Sequence, residues 1–214
     1  IDMRRGRLGL VLACVSIAAD LGLPKTRAVQ AWLYALRSQA TAAGTASRPM
    51  DDNGKRHTRS DGGLRIAVLG YPYAVYDRFL NMDVLGKLAK LGVDVLTMES
   101  LPSAQLASTA GRLAKKLFWH YSDRVVRTAL RLIDTSSVAG LIHVTAFGCG
   151  PDALADRLID LESSKKGMPF MPLLIDEDSG DAGLLTRLEA FVDMVRRSSA
   201  VKGRSLPHRV GGFA

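Results

Sequence analysis

Cysteine is scarce in this sequence, because the 214 residues contain only Cys14 and Cys149. Two cysteines cannot build a disulfide framework, so we expect a protein of the reducing cytoplasm.

An iron–sulfur cluster usually takes three or four protein ligands, mostly cysteines. Cys14 lies in an apolar helical run, where an inert packed thiol is the expected state. The chain therefore cannot hold a cluster alone in the usual way. Either another segment or chain completes such a site, or Cys149 has a different role.

Several motifs of enzyme chemistry are also missing. The glycine at the end of the first predicted strand lacks the spacing of a dinucleotide fingerprint or a Walker loop. No HExxH spacing and no Ser/His/Asp order is present. The longest apolar stretch, residues 8–19, follows three arginines like the start of a signal peptide, but it is too short to span a bilayer. We interpret it as a helix that packs into the protein. The start at Ile1 suggests a piece of a longer protein.

Acidic residues are fewer than basic ones, which gives a formal net charge of +8. The basic residues are spread along the chain, and many fall in stretches typical of linkers or tails. This distribution argues against a nucleic-acid surface, and a phosphate-bearing ligand or an acidic partner remains open. A hydrophobic content of 47% is enough for a packed core.

Hydrophobic periodicity predicts an α/β domain at 64–198, preceded by a helical segment at 1–46 and a polar linker or loop at 47–63. Residues 199–214 are expected to be a flexible tail. Strands are predicted at 64–70, 93–98, 138–146 and 169–175, and helices at 77–91, 101–135 with a break near Ser122–Asp123, 151–162 and 182–197. Because strands and helices alternate, the fold class is α/β, with a flavodoxin- or Rossmann-like parallel sheet of about four strands and an N-terminal helical arm.

Three unusual loops follow three of these strands, at 70–77, 147–152 and 176–183. In a parallel sheet, ligands bind at the carboxyl ends of the strands. The three loops should therefore meet at one edge of the sheet and form the candidate site.

The loop at 147–152 places Cys149 between Gly148 and Gly150, immediately before Pro151. Glycines allow a tight turn and close approach to a ligand, and proline suits the first helical turn. A thiol just ahead of a helix N-terminus lies in a positive field that favours thiolate. Cys149 is therefore a candidate metal ligand or redox group. The alternative is a small residue that fills a tight turn.

The other two loops carry weaker signals. Tyr71 and Tyr73 could line a pocket, or the loop could be an ordinary turn with Asp77 as a helix N-cap. Asp176 and Glu177 could bind a hard cation or serve as acid and base, but caps or an ion pair with a nearby arginine would explain them equally well. We expect His143 to be a core histidine whose ring nitrogens are both satisfied.

Three segments carry a resemblance to a known family. They are Gly70-Tyr-Pro-Tyr-Ala-Val-Tyr-Asp77 with Asn81, Phe147-Gly-Cys-Gly-Pro-Asp152, and the run from Ile175-Asp-Glu-Asp-Ser-Gly180 through Met194. They resemble the C-terminal part of acyl-CoA dehydratase activase-related proteins, relatives of the D-component of 2-hydroxyacyl-CoA dehydratases. The resemblance covers about 64–197 well and the first helices loosely.

The resemblance implies a duplicated flavodoxin- or Rossmann-like protein with a [4Fe-4S] cluster between its halves. That cluster serves one-electron chemistry on an acyl-CoA ester, with electrons from an ATP-driven activator. Cys149 matches a cluster-ligand position, and the other ligands would come from an N-terminal half that this chain lacks, so the cluster should be absent from this piece. The cleft would be lined by Tyr71, Pro72, Tyr73, Asp77, Gly148, Gly150, Asp152, Asp176 and Glu177.

The partners expected from this resemblance are the missing half or a partner subunit, an activator ATPase and a CoA ester, with no nucleic acid and no membrane. The chain would be a dehydratase-like (lyase) piece that is not active alone. The alternative is a non-catalytic binding or assembly domain that docks onto an activator ATPase or another subunit.

Overall fold

Two helices form the N-terminal part of the protein. The computed structural model describes residues 6–46, 63–101, 103–109, 111–113 and 115–204. The chain divides into two units, Ile1–Ala46 and Ser47–Ala214. In the first, α1 (Gly6–Asp20) and α2 (Lys25–Ala46) are joined by a turn in which Leu23 N donates to Ala18 O at 2.7 Å. In the described residues, no helix combines the length and apolarity needed to cross a membrane.

A four-stranded parallel sheet forms the centre of the second unit. Its strands are β1 (Leu64–Gly70), β2 (Val93–Thr97), β3 (Gly140–Ala146) and β4 (Phe170–Ile175). They lie in the order β2-β1-β3-β4, and every pairing is parallel. The chain first moves from β1 to β2 and then crosses to the other side of β1. The boundary between β1 and β3 is therefore the topological switch point, where open α/β sheets form their ligand crevice.

Helices cover both faces of the sheet. They are α3 (Pro72–Tyr76), α4 (Val84–Lys90), α5 (Ser103–Leu106), α6 (His120–Thr135), α7 (Gly150–Lys166) and α8 (Asp181–Arg204), with short 3₁₀ turns at Met98–Ser100 and Ala107–Thr109. Alternation along β1 directs Ile66 and Val68 towards α4 and α8, and Ala67 and Leu69 towards α6 and α7. The predicted α/β class and its parallel four-stranded sheet are confirmed.

The helix predicted at 77–91 is wrong in its first half. Met82 and Asp83 adopt left-handed backbone angles, with φ of 53° and 58°, so the helix α4 begins only at Val84. Asn81 is buried, and its Nδ2 donates to the carbonyls of Ala74 and Val75 at 2.9 and 2.7 Å. These side-chain bonds satisfy the end of α3 and replace a helical continuation.

The break predicted near Ser122–Asp123 is also misplaced. Both residues lie in the first turn of α6, and Asp123 Oδ1 accepts the backbone N–H of Leu117 at 3.0 Å. A carboxylate is favoured at a helix N-terminus, so the polar pair marks a start and not an interruption.

The helix predicted at 182–197 continues as α8 to Arg204, so residues 199–204 of the expected tail are helical. The rest of that tail, 205–214, and residues 47–62 of the expected linker lie outside the described residues.

Candidate functional site

Cys149 lies at the switch point, on the turn that joins β3 to α7. Its backbone is extended, and its carbonyl accepts the N–H of Ala153 at 3.0 Å, so Cys149 occupies the N-cap position of α7. Gly148 has a φ of 73°, a left-handed conformation that glycine adopts without strain. The turn therefore places the cysteine just ahead of a helix N-terminus, as its flanking residues predict.

The surroundings of Cys149 raise the pKa of its thiol, whereas the sequence predicted that thiolate would be favoured. Burial raises the pKa of the thiol, and the carboxylate of Asp152 raises it further by accepting a hydrogen bond and by its charge. The backbone N–H of Asp152 acts in the opposite direction, but burial is the largest of these effects. The thiol is half-buried, and its raised pKa favours the protonated form at neutral pH.

Tyr71 and Tyr73 share this space with the thiol. Burial raises the pKa of both phenols, and the charges of Asp152 and Cys149 raise both further. The two rings meet edge to face with centroids 5.8 Å apart. Tyr71 Oη lies 2.9 Å from Ser122 Oγ, and this hydrogen bond lowers the phenol pKa against the effect of burial. The loops after β1 and β3 therefore meet as the topology requires.

Sequence reasoning missed two residues of this site, Tyr121 and Ser122. Both lie at the start of α6, and the Tyr121 ring is 5.5 Å from that of Tyr71. A signal was available in the topology. The helix that precedes β3 must run antiparallel to it, so its first turn lies at the carboxyl edge of the sheet.

Asp152, in the first turn of α7, is the buried charge of the site. Its side chain is 3% exposed, and its Oδ1 has no hydrogen-bond partner among the described residues. A buried carboxylate oxygen without a partner costs free energy, so this oxygen needs a partner beyond the described residues.

A pocket of about 640 Å³ brings together residues from the three predicted loops. Tyr73, Phe147, Asp176 and Glu177 are among its walls. Asp176 Oδ1 accepts bonds from Ser179 Oγ at 2.7 Å and from the N–H of Asp178 at 3.1 Å, so this carboxylate shapes its own turn. Neither Cys149 nor Asp152 is among the described residues that line the pocket.

The remaining cleft candidates shape local backbone. Pro72 begins α3, and Asp77 Oδ1 accepts the N–H groups of Phe79 and Leu80 at 3.0 Å each. Asp77 therefore caps a turn and not the helix α4. Gly150 is the first residue of α7. Their part in lining the cleft, like that of Gly148, stays a prediction.

His143 differs from the expected fully satisfied core histidine. Its side chain is buried, and its Nδ1 lies 2.7 Å from Asp156 Oδ1 on α7. Its Nε2 has no hydrogen-bond partner among the described residues. One nitrogen is therefore paired as predicted, and the other is not.

Exposed aromatic side chains surround the carboxyl edge of the sheet. We call this set the aromatic rim; it consists of Tyr73, Phe79, Phe118, Trp119, Tyr121 and Phe147. Phe79 is 97% exposed, Phe118 88% and Phe147 70%. Single exposed apolar residues are common, but a group of them around a crevice marks an interaction surface.

The described residues do not fit a complete iron–sulfur site. They contain no group of three His, Cys, Asp or Glu side chains placed to hold a metal ion. The groups that interact with Cys149 are a carboxylate and two phenols, which are not the thiolates that iron–sulfur clusters take.

The fold and the switch-point residues define a flavodoxin-like α/β protein with a crevice at the carboxyl edge of its sheet. A family model described as a CoA enzyme activase uncharacterised domain matches residues 1–101. The match runs from α1 through β1 and β2, so it includes the loop of Tyr71 but not the turn of Cys149. It supports a relationship with CoA enzyme activase-related proteins. No curated protein matches the chain.

Proposed function

We propose that the α/β unit is one lobe of a CoA-enzyme protein related to the 2-hydroxyacyl-CoA dehydratases. In this proposal, the carboxyl edge of the sheet closes against a second lobe or subunit. Cys149 then contributes one ligand to a [4Fe-4S] cluster shared between the two, and the cluster serves one-electron chemistry on an acyl-CoA ester.

One observation carries the proposal. Cys149 lies at the switch point with Asp152 and the two tyrosines, inside a rim of exposed aromatic rings. A crevice that is complete within one unit would bury such rings. Their exposure around a single thiol is the pattern of a site whose other wall belongs to another lobe.

The raised pKa of the Cys149 thiol is consistent with a metal site of which this lobe supplies only one ligand. A free thiol in this setting remains protonated, and a metal ion would replace that proton when the second lobe supplies the other ligands. In this proposal, Asp152 and Tyr71 already surround the Cys149 thiol within the chain, before the second lobe binds.

The test is anaerobic reconstitution, with iron and sulfide, of the full product of the gene that encodes this chain. Cys149→Ser should lower the iron content and change the visible absorption spectrum. Cys14→Ser is the matched control, because Cys14 lies in α1, and it should leave both unchanged. If Cys149→Ser left the iron content and the absorption spectrum unchanged, the assignment of Cys149 as a ligand would be wrong.

The aromatic rim also favours a second candidate, a non-catalytic assembly domain that docks onto an activator ATPase or a partner subunit. Such a surface needs exposed apolar side chains and no metal. In the reconstitution experiment, this candidate predicts equal iron contents in the wild type and in both cysteine variants.

A further inference from the structure

Five buried side-chain polar atoms have no hydrogen-bond partner among the described residues, and two of them, Arg124 Nε and Thr128 Oγ1, are on α6. The other three lie on β3 and on α7, which packs on one of its faces. They are His143 Nε2 and Thr145 Oγ1 on β3 and Asp152 Oδ1 on α7, and the exposed fraction of each of these three residues is at most 3%. Buried polar groups in folded proteins are nearly always paired with protein atoms or with ordered water. A group of three on facing elements therefore needs an explanation.

The register between β3 and α7 places Thr145 opposite Asp152. His143 and Thr145 are two residues apart on the strand, so they face the same side, about 6.6 Å apart along it. Asp152 and Asp156 are one turn apart on the antiparallel α7, about 6 Å along the helix axis. Because His143 contacts Asp156, Thr145 must lie at the level of Asp152.

The two unpartnered oxygens at this level are not bonded to each other. A hydroxyl can donate and a carboxylate can only accept, so the pair is complementary. One water molecule between them would satisfy both groups.

The ring of His143 belongs to the same polar layer. Its Nδ1 faces Asp156 on α7, and its Nε2 has no hydrogen-bond partner among the described residues. Asp156 itself is 22% exposed, which connects the layer with solvent.

We propose that these groups form a buried hydration site, which holds ordered water between β3 and α7. The water links Thr145 to Asp152 and thereby fixes the carboxylate that accepts the hydrogen bond of Cys149. The site borders the crevice, because Thr145 is also among the residues that line the pocket there. It does not require a cluster or a second lobe, so it goes beyond the proposed function.

Nuclear magnetic resonance of the full isotope-labelled chain tests the hydration site. In the wild type, the Thr145 methyl group and the His143 ring should show cross-peaks to long-lived water. Thr145→Val keeps the side-chain shape and removes the hydroxyl, so it should lose the Thr145 cross-peak and shift the carboxyl resonance of Asp152. Thr186→Val is the matched control, because the exposed Thr186 hydroxyl donates only to Ala182 O at 3.0 Å.

Thr145→Ser keeps the hydroxyl and should retain both the water cross-peak and the Asp152 resonance. If Thr145→Val does not fold, the wild type and Thr145→Ser decide the question. Absence of water cross-peaks at both Thr145 and His143 in the wild type overturns the proposal. A shift of the Asp152 resonance in Thr186→Val equal to that in Thr145→Val does so too. Neither result depends on iron binding.

Discussion

At the scale of single residues, burial and the neighbouring Asp152 together set the chemistry of Cys149. Position alone, ahead of the first turn of α7, favours a thiolate. Burial and the neighbouring carboxylate outweigh that field and raise the pKa of the thiol. A carboxylate that repels negative charge and accepts the thiol hydrogen favours the protonated form of the sulfur.

This balance predicts the pH dependence of thiol labelling. In a Cys14→Ser background, iodoacetamide should label Cys149 with a midpoint above that of a free cysteine, because the thiol pKa is raised and only the thiolate reacts. Asp152→Asn removes the charge and the carboxylate acceptor, so the midpoint should fall towards that of a free cysteine. Burial persists in this variant and still opposes ionisation.

Asp160→Asn is the control for this measurement. It makes the same chemical change on the same helix, where the 48% exposed side chain of Asp160 pairs with Arg157 at 2.8 Å. Its labelling midpoint should equal that of the Cys14→Ser parent. A midpoint that stays in place in Asp152→Asn would show that burial alone raises the thiol pKa.

At the scale of elements, Asn81 shapes the segment after β1. Its amide donates to two carbonyls at the end of α3, and its Oδ1 accepts the N–H of Val84 at 3.3 Å, at the start of α4. One buried side chain therefore ends one helix and begins the next. Phe79, in the same segment, is 97% exposed and belongs to the aromatic rim.

Asn81→Asp should lower the free energy of unfolding by about 2 to 4 kcal/mol, because it replaces two donated hydrogen bonds with a buried acid. Gln105→Glu makes the same amide-to-acid change at an exposed residue of α5 and should cost no more than about 0.5 kcal/mol. Urea unfolding followed by circular dichroism measures both. Equal losses in the two variants would contradict the role of Asn81.

At the scale of the whole α/β unit, the sheet buries apolar residues on both faces and leaves aromatic rings exposed at its carboxyl edge. The core is therefore complete without these rings. The exposed faces of these rings are available to a partner or a ligand.

The rim makes a prediction that needs no partner. Phe79→Ser and Phe147→Ser should each change the free energy of unfolding by less than about 0.5 kcal/mol. The double variant should bind less of an apolar fluorescent dye, because both rings border the pocket at this edge. Leu161→Ser, at a 42% exposed position further along α7, should leave dye fluorescence unchanged. A large loss of stability would instead assign the rings to the core.

Much of the architecture could be predicted because it depends on local periodicity. Buried strands read as continuous apolar runs, and the prediction of β1 at 64–70 agrees with the structure residue for residue. The helix ends were harder. The amphipathic pattern at 77–91 continues through the left-handed Met82 and Asp83, and only the bonds of Asn81 exclude a helix there.

Some features of the candidate site could likewise be predicted from the sequence, and others could not. Sequence placed Cys149 on a strand-to-helix turn and brought three loops to one edge, because the order of parallel strands and helices requires it. It did not find Ser122 or Tyr121, and it expected the thiolate of Cys149 to be favoured, whereas burial and Asp152 raise the pKa of this thiol. Tyr121 and Ser122 approach Tyr71 from a distant part of the chain, and the burial of Cys149 depends on the packed fold.

By itself, the sequence determined the α/β class, the parallel strands and the position of the cysteine, because these follow from local pattern and from the handedness of the chain. Only the tertiary structure decided that Asp152 is buried beside Cys149, that Tyr71 and Tyr73 share its space and that the aromatic rim remains exposed. The physical reason is that a pKa and an interface depend on the surrounding charges and on access to water, which long-range packing sets.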